Sequence, residues 1–136
     1  MKIDGGCHCG HLKYEGETDP EKVAICHCTD CQTLSGSAFR TVTPVPSDSF
    51  RFLSGDPTVY VKTADSGAKR QQTFSPVCGT PIYSASVGNA PKVFNVRLGT
   101  VNQRRQLVPK VQIWARSEQH WLAGLDGVPK IATQPV

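Results

Sequence analysis

"CHCTDC", residues 26–31, places three cysteines within six positions, and "GGCHCG", residues 5–10, repeats its Cys-X-Cys spacing; the sixth cysteine, Cys78, stands alone. In an extended segment residues i and i+2 point to the same face, so Cys7 with Cys9, and Cys26 with Cys28, can each present a pair of sulfurs on one side. A turn after Cys28 then brings Cys31 round as a third sulfur, because C-X-X-C across a turn is a zinc-knuckle spacing. Thiolates are soft ligands for tetrahedral Zn²⁺, and three of them leave one position free. Cys26, Cys28 and Cys31 therefore read as an open metal site. The rival reading, small buried hydrophobes, does not account for so many cysteines in paired spacing.

The rest of the chain suits a β-rich frame. At 136 residues it has the length of one domain, taken as residues 1–136, and can bury a core without disulfides. Twelve Gly, ten Pro and 7% aromatics indicate short strands joined by many turns. The +4 formal charge is spread along the chain, which suits a small anionic ligand but lacks the concentrated basic stripe of a nucleic-acid binder. MKIDGGCHCG has no apolar leader core and no apolar run reaches membrane-span length, so a cytosolic protein with neither membrane nor nucleic-acid partner is expected. In that reducing compartment the cysteines are ligands or reactive groups, not a disulfide framework.

Alternating or β-branched segments predict strands at 11–16, 22–28, 38–45, 49–53, 58–64, 71–74, 81–87, 93–99 and 108–115. Gly55-Asp56-Pro57, Ser66-Gly67 and Gly88-Asn89 are among the turns that separate them. Helix is expected only as a turn or two after Thr29 and a short segment near Ser117 to Trp121.

The order GGCHCG, CHCTDCQ, F-S-P-V-C-G-T-P-I at 74–82, and a late I-W-A-R-S with D-G-V-P downstream, resembles the family of glutathione-dependent formaldehyde-activating enzymes and the related centromere protein V domains. The resemblance covers nearly the whole chain. It implies a mainly β, Mss4-like fold of twisted antiparallel sheets carrying zinc knuckles, with very little helix. It also implies two zinc sites: a structural one on Cys7, Cys9 and Cys78, and a three-thiolate one on Cys26, Cys28 and Cys31 that meets the thiol substrate. The implied activity is that of a carbon-sulfur lyase joining glutathione and formaldehyde as S-hydroxymethylglutathione, with Cys26, Cys28 and Cys31 as the catalytic group.

One position departs from the family pattern. Ser75 stands where the third structural cysteine is usual, and a neutral hydroxyl is a poorer zinc ligand than a thiolate. That site can hold zinc through three sulfurs and water, recruit His8 or His11, or stay empty. His8 and His27, between paired cysteines, are expected to point away from the metal, and His11 and His120 to be solvated. Arg40, Lys69, Arg70 or Arg97 could position the carboxylates of glutathione, or be solvated strand charges. Phe39, Trp114 and Trp121 could line a cleft, with core packing expected for at least two of them. The alternative to the enzyme is a noncatalytic zinc module that binds a partner protein; an open fourth metal position would be unnecessary there.

Overall fold

The computed structural model describes residues 1–135. Its strands are β1 (Lys2–Gly6), β2 (Lys13–Glu17), β3 (Ala24–Cys26), β4 (Arg40–Pro46), β5 (Arg51–Ser54), β6 (Thr58–Thr63), β7 (Lys69–Phe74), β8 (Pro81–Ser86), β9 (Val93–Arg97) and β10 (Val111–Ile113). Among the described residues the one α-helix is α1 (Thr29–Ser35), and 3-10 turns fill much of the rest. The strands form a three-stranded sheet, β1-β2-β5, and a seven-stranded sheet, β10-β3-β4-β9-β8-β7-β6. The mainly β expectation holds. Pairing is antiparallel except where β10 lies parallel to β3.

The two sheets meet through an aromatic cluster. Phe50 stacks on Tyr14 of β2 at 5.1 Å and meets Phe52 of β5, Tyr83 of β8 and Phe94 of β9 edge-on at 5.1–5.2 Å. Tyr83 and Phe94 are themselves stacked at 4.0 Å. With Ile3, Leu12, Val45, Ile82, Ala85, Val96, Val101 and Leu107 they form one core. Strand alternation sends Val45, Tyr83, Ala85, Phe94 and Val96 to one side of the large sheet and leaves its other side to a different set.

That other side is polar. Cys26 lies opposite Arg40 across β3 and β4, Val42 opposite Arg97 across β4 and β9, Asn95 opposite Ser84, Ser84 opposite Gln72, and Lys62 opposite Arg70. Cross-strand partners share a face, and so do residues two apart, so these side chains form a continuous row across the sheet. Helix α1 follows β3 directly and packs against β4 at one end of this row.

The strand readings at 58–64, 71–74, 81–87 and 93–99 match β6 to β9 closely, and the helix after Thr29 is two turns long. Lys2–Gly6 was not anticipated as a strand: its KIDGG sequence has a single large apolar residue, Ile3, and acquires order by pairing along the whole of β2. Both Cys-X-Cys segments begin at a strand's end instead of lying within it. Cys7 and Cys9 follow β1, and of Cys26 and Cys28 only the former belongs to β3, because Cys28 turns to cap α1. The segment near Ser117 to Trp121 forms 3-10 turns at Ala115–Ser117 and His120–Gly127.

Candidate functional site

Cys26, Cys28 and Cys31 meet where β3 gives way to α1, with their sulfurs within 4.8 Å of one another. Cys28 is the N-cap: its Sγ accepts the Cys31 backbone N–H at 3.2 Å, so one residue caps the helix and aims a sulfur. Gly36, left-handed at φ 67°, closes α1 after two turns. Gln32 anchors the knuckle, donating from Nε2 to the carbonyls of His27 at 2.8 Å and Ser117 at 3.0 Å while its Oε1 accepts from Gln119 at 2.7 Å. The Cys26 thiol is drawn down to about 5, first by a hydrogen bond from Cys31 and further by the Cys28 amide and the charge of Arg40. Cys31 is correspondingly pushed up, because it donates that bond beside an anionic neighbour. The donor set fits a soft divalent ion such as Zn²⁺, which requires deprotonated sulfur.

Cys26 and Cys31 open onto a cavity of about 270 Å³ floored by the polar face of the large sheet, including Arg40, Arg70, Gln72, Ser84 and Arg97, and bordered by Asp30, Lys62 and Trp114. Arg40 and Arg97 are only 6% and 8% exposed. Burial draws both guanidinium groups below the ordinary arginine value, Arg97 to about 9, with the charge of Arg40 adding to the effect; the sulfurs of Cys31 and Cys26 oppose it. Both remain cationic at neutral pH. Gln72 Oε1 accepts from Arg97 Nη2 at 3.0 Å and from Arg40 Nη1 at 3.5 Å. The solvated-charge reading of Arg40 and Arg97 is therefore corrected: β4 and β9 are interior strands of the sheet. Lys69 is exposed and is not among the residues lining this cavity.

The second trio joins distant segments. Cys7 and Cys9 meet Cys78 with all three sulfurs within 4.8 Å, and Cys7 Sγ lies 3.7 Å from Cys9 Sγ. Tetrahedral zinc with bonds of about 2.3 Å has sulfur-to-sulfur edges of about 3.8 Å, so this pair is already at ligand spacing. The Leu12 amide donates to Cys7 Sγ at 3.2 Å. Ser75 is fully buried, and its Oγ accepts the amides of Val77 and Cys78, both at 3.2 Å. Hydrogen bonding from the Ser75 and then the Thr80 hydroxyl brings the Cys78 thiol down to about 5. Ser75 thus fixes the turn that carries Cys78 into the trio. Neither His8 nor His11 joins the cluster; both are exposed.

His27 is fully buried, with Nε2 2.7 Å from Gln112 Oε1 and its ring 5.6 Å from Phe39. It is a structural group beside the trio, as its place between two cysteines implied, and His120 is exposed as expected. The core expectation for the tryptophans is overturned: Trp114 and Trp121 are 52% and 48% exposed, because they follow the edge strand β10 in a terminal segment of 3-10 turns. Trp114 borders the cavity and Phe39 a neighbouring one. Gln32, Gln72 and Ser84 were not anticipated; the signal was the placement of Gln72 two residues from Arg70 on one strand, which puts both on a single face.

Comparison with known proteins agrees with this geometry. Residues 2–117 match the profile of the family described as glutathione-dependent formaldehyde-activating enzyme. No curated protein matches the chain. A solved structure of a Rhodobacter sphaeroides protein has the same fold, with a TM-score of 0.61 at 19% identity, covering 82% of this chain and 99% of that one. The profile match runs through both cysteine trios and the cationic sheet face, and the chain belongs to the glutathione-dependent formaldehyde-activating enzyme family.

Proposed function

We propose that Cys26, Cys28 and Cys31 form a zinc-dependent catalytic site at which the sulfur of a small thiol, glutathione or a related one, adds reversibly to formaldehyde. The observation that carries this reading is the placement of the trio: three sulfurs within 4.8 Å at the mouth of a cavity whose floor is cationic. A bound Zn²⁺ supplies a coordination position at which an incoming thiol loses its proton near neutral pH. The three cysteines would hold the ion, and their negative charge tempers its Lewis acidity, which favours sulfur exchange over permanent capture. The Cys28 cap and the Gln32 anchor hold the sulfurs in place before substrate arrives.

In the forward direction the substrate sulfur bonds to the carbonyl carbon. The displaced π pair moves onto oxygen, which takes up the proton the thiol released, and the S-hydroxymethyl adduct results, S-hydroxymethylglutathione where the thiol is glutathione. The reverse breaks the same carbon–sulfur bond, which places the chemistry among carbon-sulfur lyases. Arg40 and Arg97 face the cavity and give it a positive potential that draws an anionic thiol towards the trio. None of the six cysteines is in a disulfide, which supports assigning the protein to a reducing compartment.

The test pairs zinc analysis with product formation from glutathione and formaldehyde, followed by NMR for the native protein and Cys28→Ser. Bound zinc, and adduct formation faster than the uncatalysed reaction and lost in the variant, are expected. Absence of zinc with every thiol freely titratable, or unchanged product formation by Cys28→Ser, would overturn the proposal.

A further inference from the structure

We infer that the polar face beneath Cys26 and Cys31 is a carboxylate-binding subsite built on Arg40 and Arg97, and that the thiol accepted by this protein carries a carboxylate close to its sulfur. The subsite stands on the arginines; that its occupant is a thiol rests on the reading of the trio given above.

Burying a guanidinium is costly unless an anion accompanies it. Arg40 and Arg97 are each more than nine-tenths buried, and the ion pairs among the described residues involve neither of them, nor Arg70. Asp30 is the one carboxylate bordering the cavity, and Lys62 already holds it at 2.6 Å. Arg70 finds only the neutral Ser84 Oγ, at 3.4 Å. Arg97 Nε is buried with no hydrogen-bond partner. The trio does not balance this charge: three thiolates around a divalent ion carry one net negative charge against three guanidinium groups.

The missing partner is therefore an anion, and Gln72 indicates its shape. Its side-chain oxygen accepts from both Arg40 and Arg97, so the two guanidinium groups already converge on one planar, sp² oxygen. A carboxylate offers two such oxygens to the converging Arg97 Nη2 and Arg40 Nη1 donors. Cys26 and Arg40 are direct partners across β3 and β4, about 5 Å apart at the backbone. An anion held by Arg40 thus lies close to a sulfur held by the trio, which favours a compact thiol acid over one whose carboxylates are all remote.

Calorimetric titration of the zinc-loaded protein tests each half. Succinate, which has no thiol, should bind, its neutral diamide should not, and Arg97→Gln should weaken succinate about tenfold or more. Arg70→Gln, a less buried position, should weaken it also and serves if Arg97→Gln does not fold. Cys28→Ser should leave succinate binding intact, separating the subsite from the thiol site. The acid 3-mercaptopropionate should bind about tenfold tighter than 2-mercaptoethanol, with the advantage lost in Arg97→Gln. Succinate binding no better than its diamide, binding of inorganic phosphate alone, or arginine variants that bind succinate like the native protein would each overturn the subsite. Succinate binding with no preference for the thiol acid would overturn the substrate class.

Discussion

Ser75 offers a direct test of how the Cys7, Cys9 and Cys78 cluster is built. Its hydroxyl accepts two backbone amides, at 3.2 Å each, from the turn that carries Cys78. Ser75→Ala removes that acceptor from a fully buried position. At about 1 kcal/mol per lost hydrogen bond the cost is about 2 kcal/mol, a fall in Tm of about 5–10 °C for a domain of this size. Ser75→Cys acts in the opposite sense, because a sulfur still accepts the amides and adds a fourth thiolate to three already clustered. A hundredfold gain in zinc affinity, about 2.7 kcal/mol, is expected. Since the ion binds the folded chain, the gain also appears as a zinc-dependent rise in Tm. Competition against a chromophoric chelator reads the affinity directly, in a Cys28→Ser background that disables the other trio. Unchanged zinc affinity in Ser75→Cys, or a Ser75→Ala protein that melts with the native one, would refute this reading of Ser75.

Two further predictions concern the frame behind that cluster. A Cβ at Gly5 would lie 2.0 Å from the Thr100 carbonyl oxygen and 2.6 Å from Tyr14 Oη, so Gly5→Ala should cost about 3 kcal/mol or more in urea denaturation; a midpoint matching the native protein would count against this packing. Tyr14 is fully buried, with Oη 2.8 Å from Thr100 Oγ1, and burial raises its phenol from 10.0 to about 12. The unfolded chain therefore loses this proton first. The contribution is fully present below pH 10 and is lost as pH rises to 12, by about 3 kcal/mol in all. Tyr14→Phe removes that part of the alkaline slope, and parallel stability curves for the two proteins between pH 9 and 12 would contradict it.

Much of the metal chemistry was legible from cysteine spacing, because positions i, i+2 and i+5 are held close by the chain itself. The exact conformation was not: Cys28 lies beyond β3 and caps α1, yet a capping sulfur reaches the same place that an extended strand would have given it. The pairing of Cys7 and Cys9 with the distant Cys78 came from family resemblance, since nothing in 68 intervening residues reports on it. Trp114 and Trp121 were misjudged because a large aromatic carries no mark of lying beyond an edge strand.

The amino-acid sequence by itself determined a β-rich chain and two unequal cysteine clusters. These are properties of composition and local spacing. Tertiary structure alone decided that Arg40, Arg70, Gln72 and Arg97, drawn from β4, β7 and β9, share one face beside Cys26. An isolated strand has no inside, and a charge becomes buried and unpaired only through the neighbours on either side of it. The pairing order of the seven-stranded sheet supplies those neighbours, and with them the cationic floor beneath the trio.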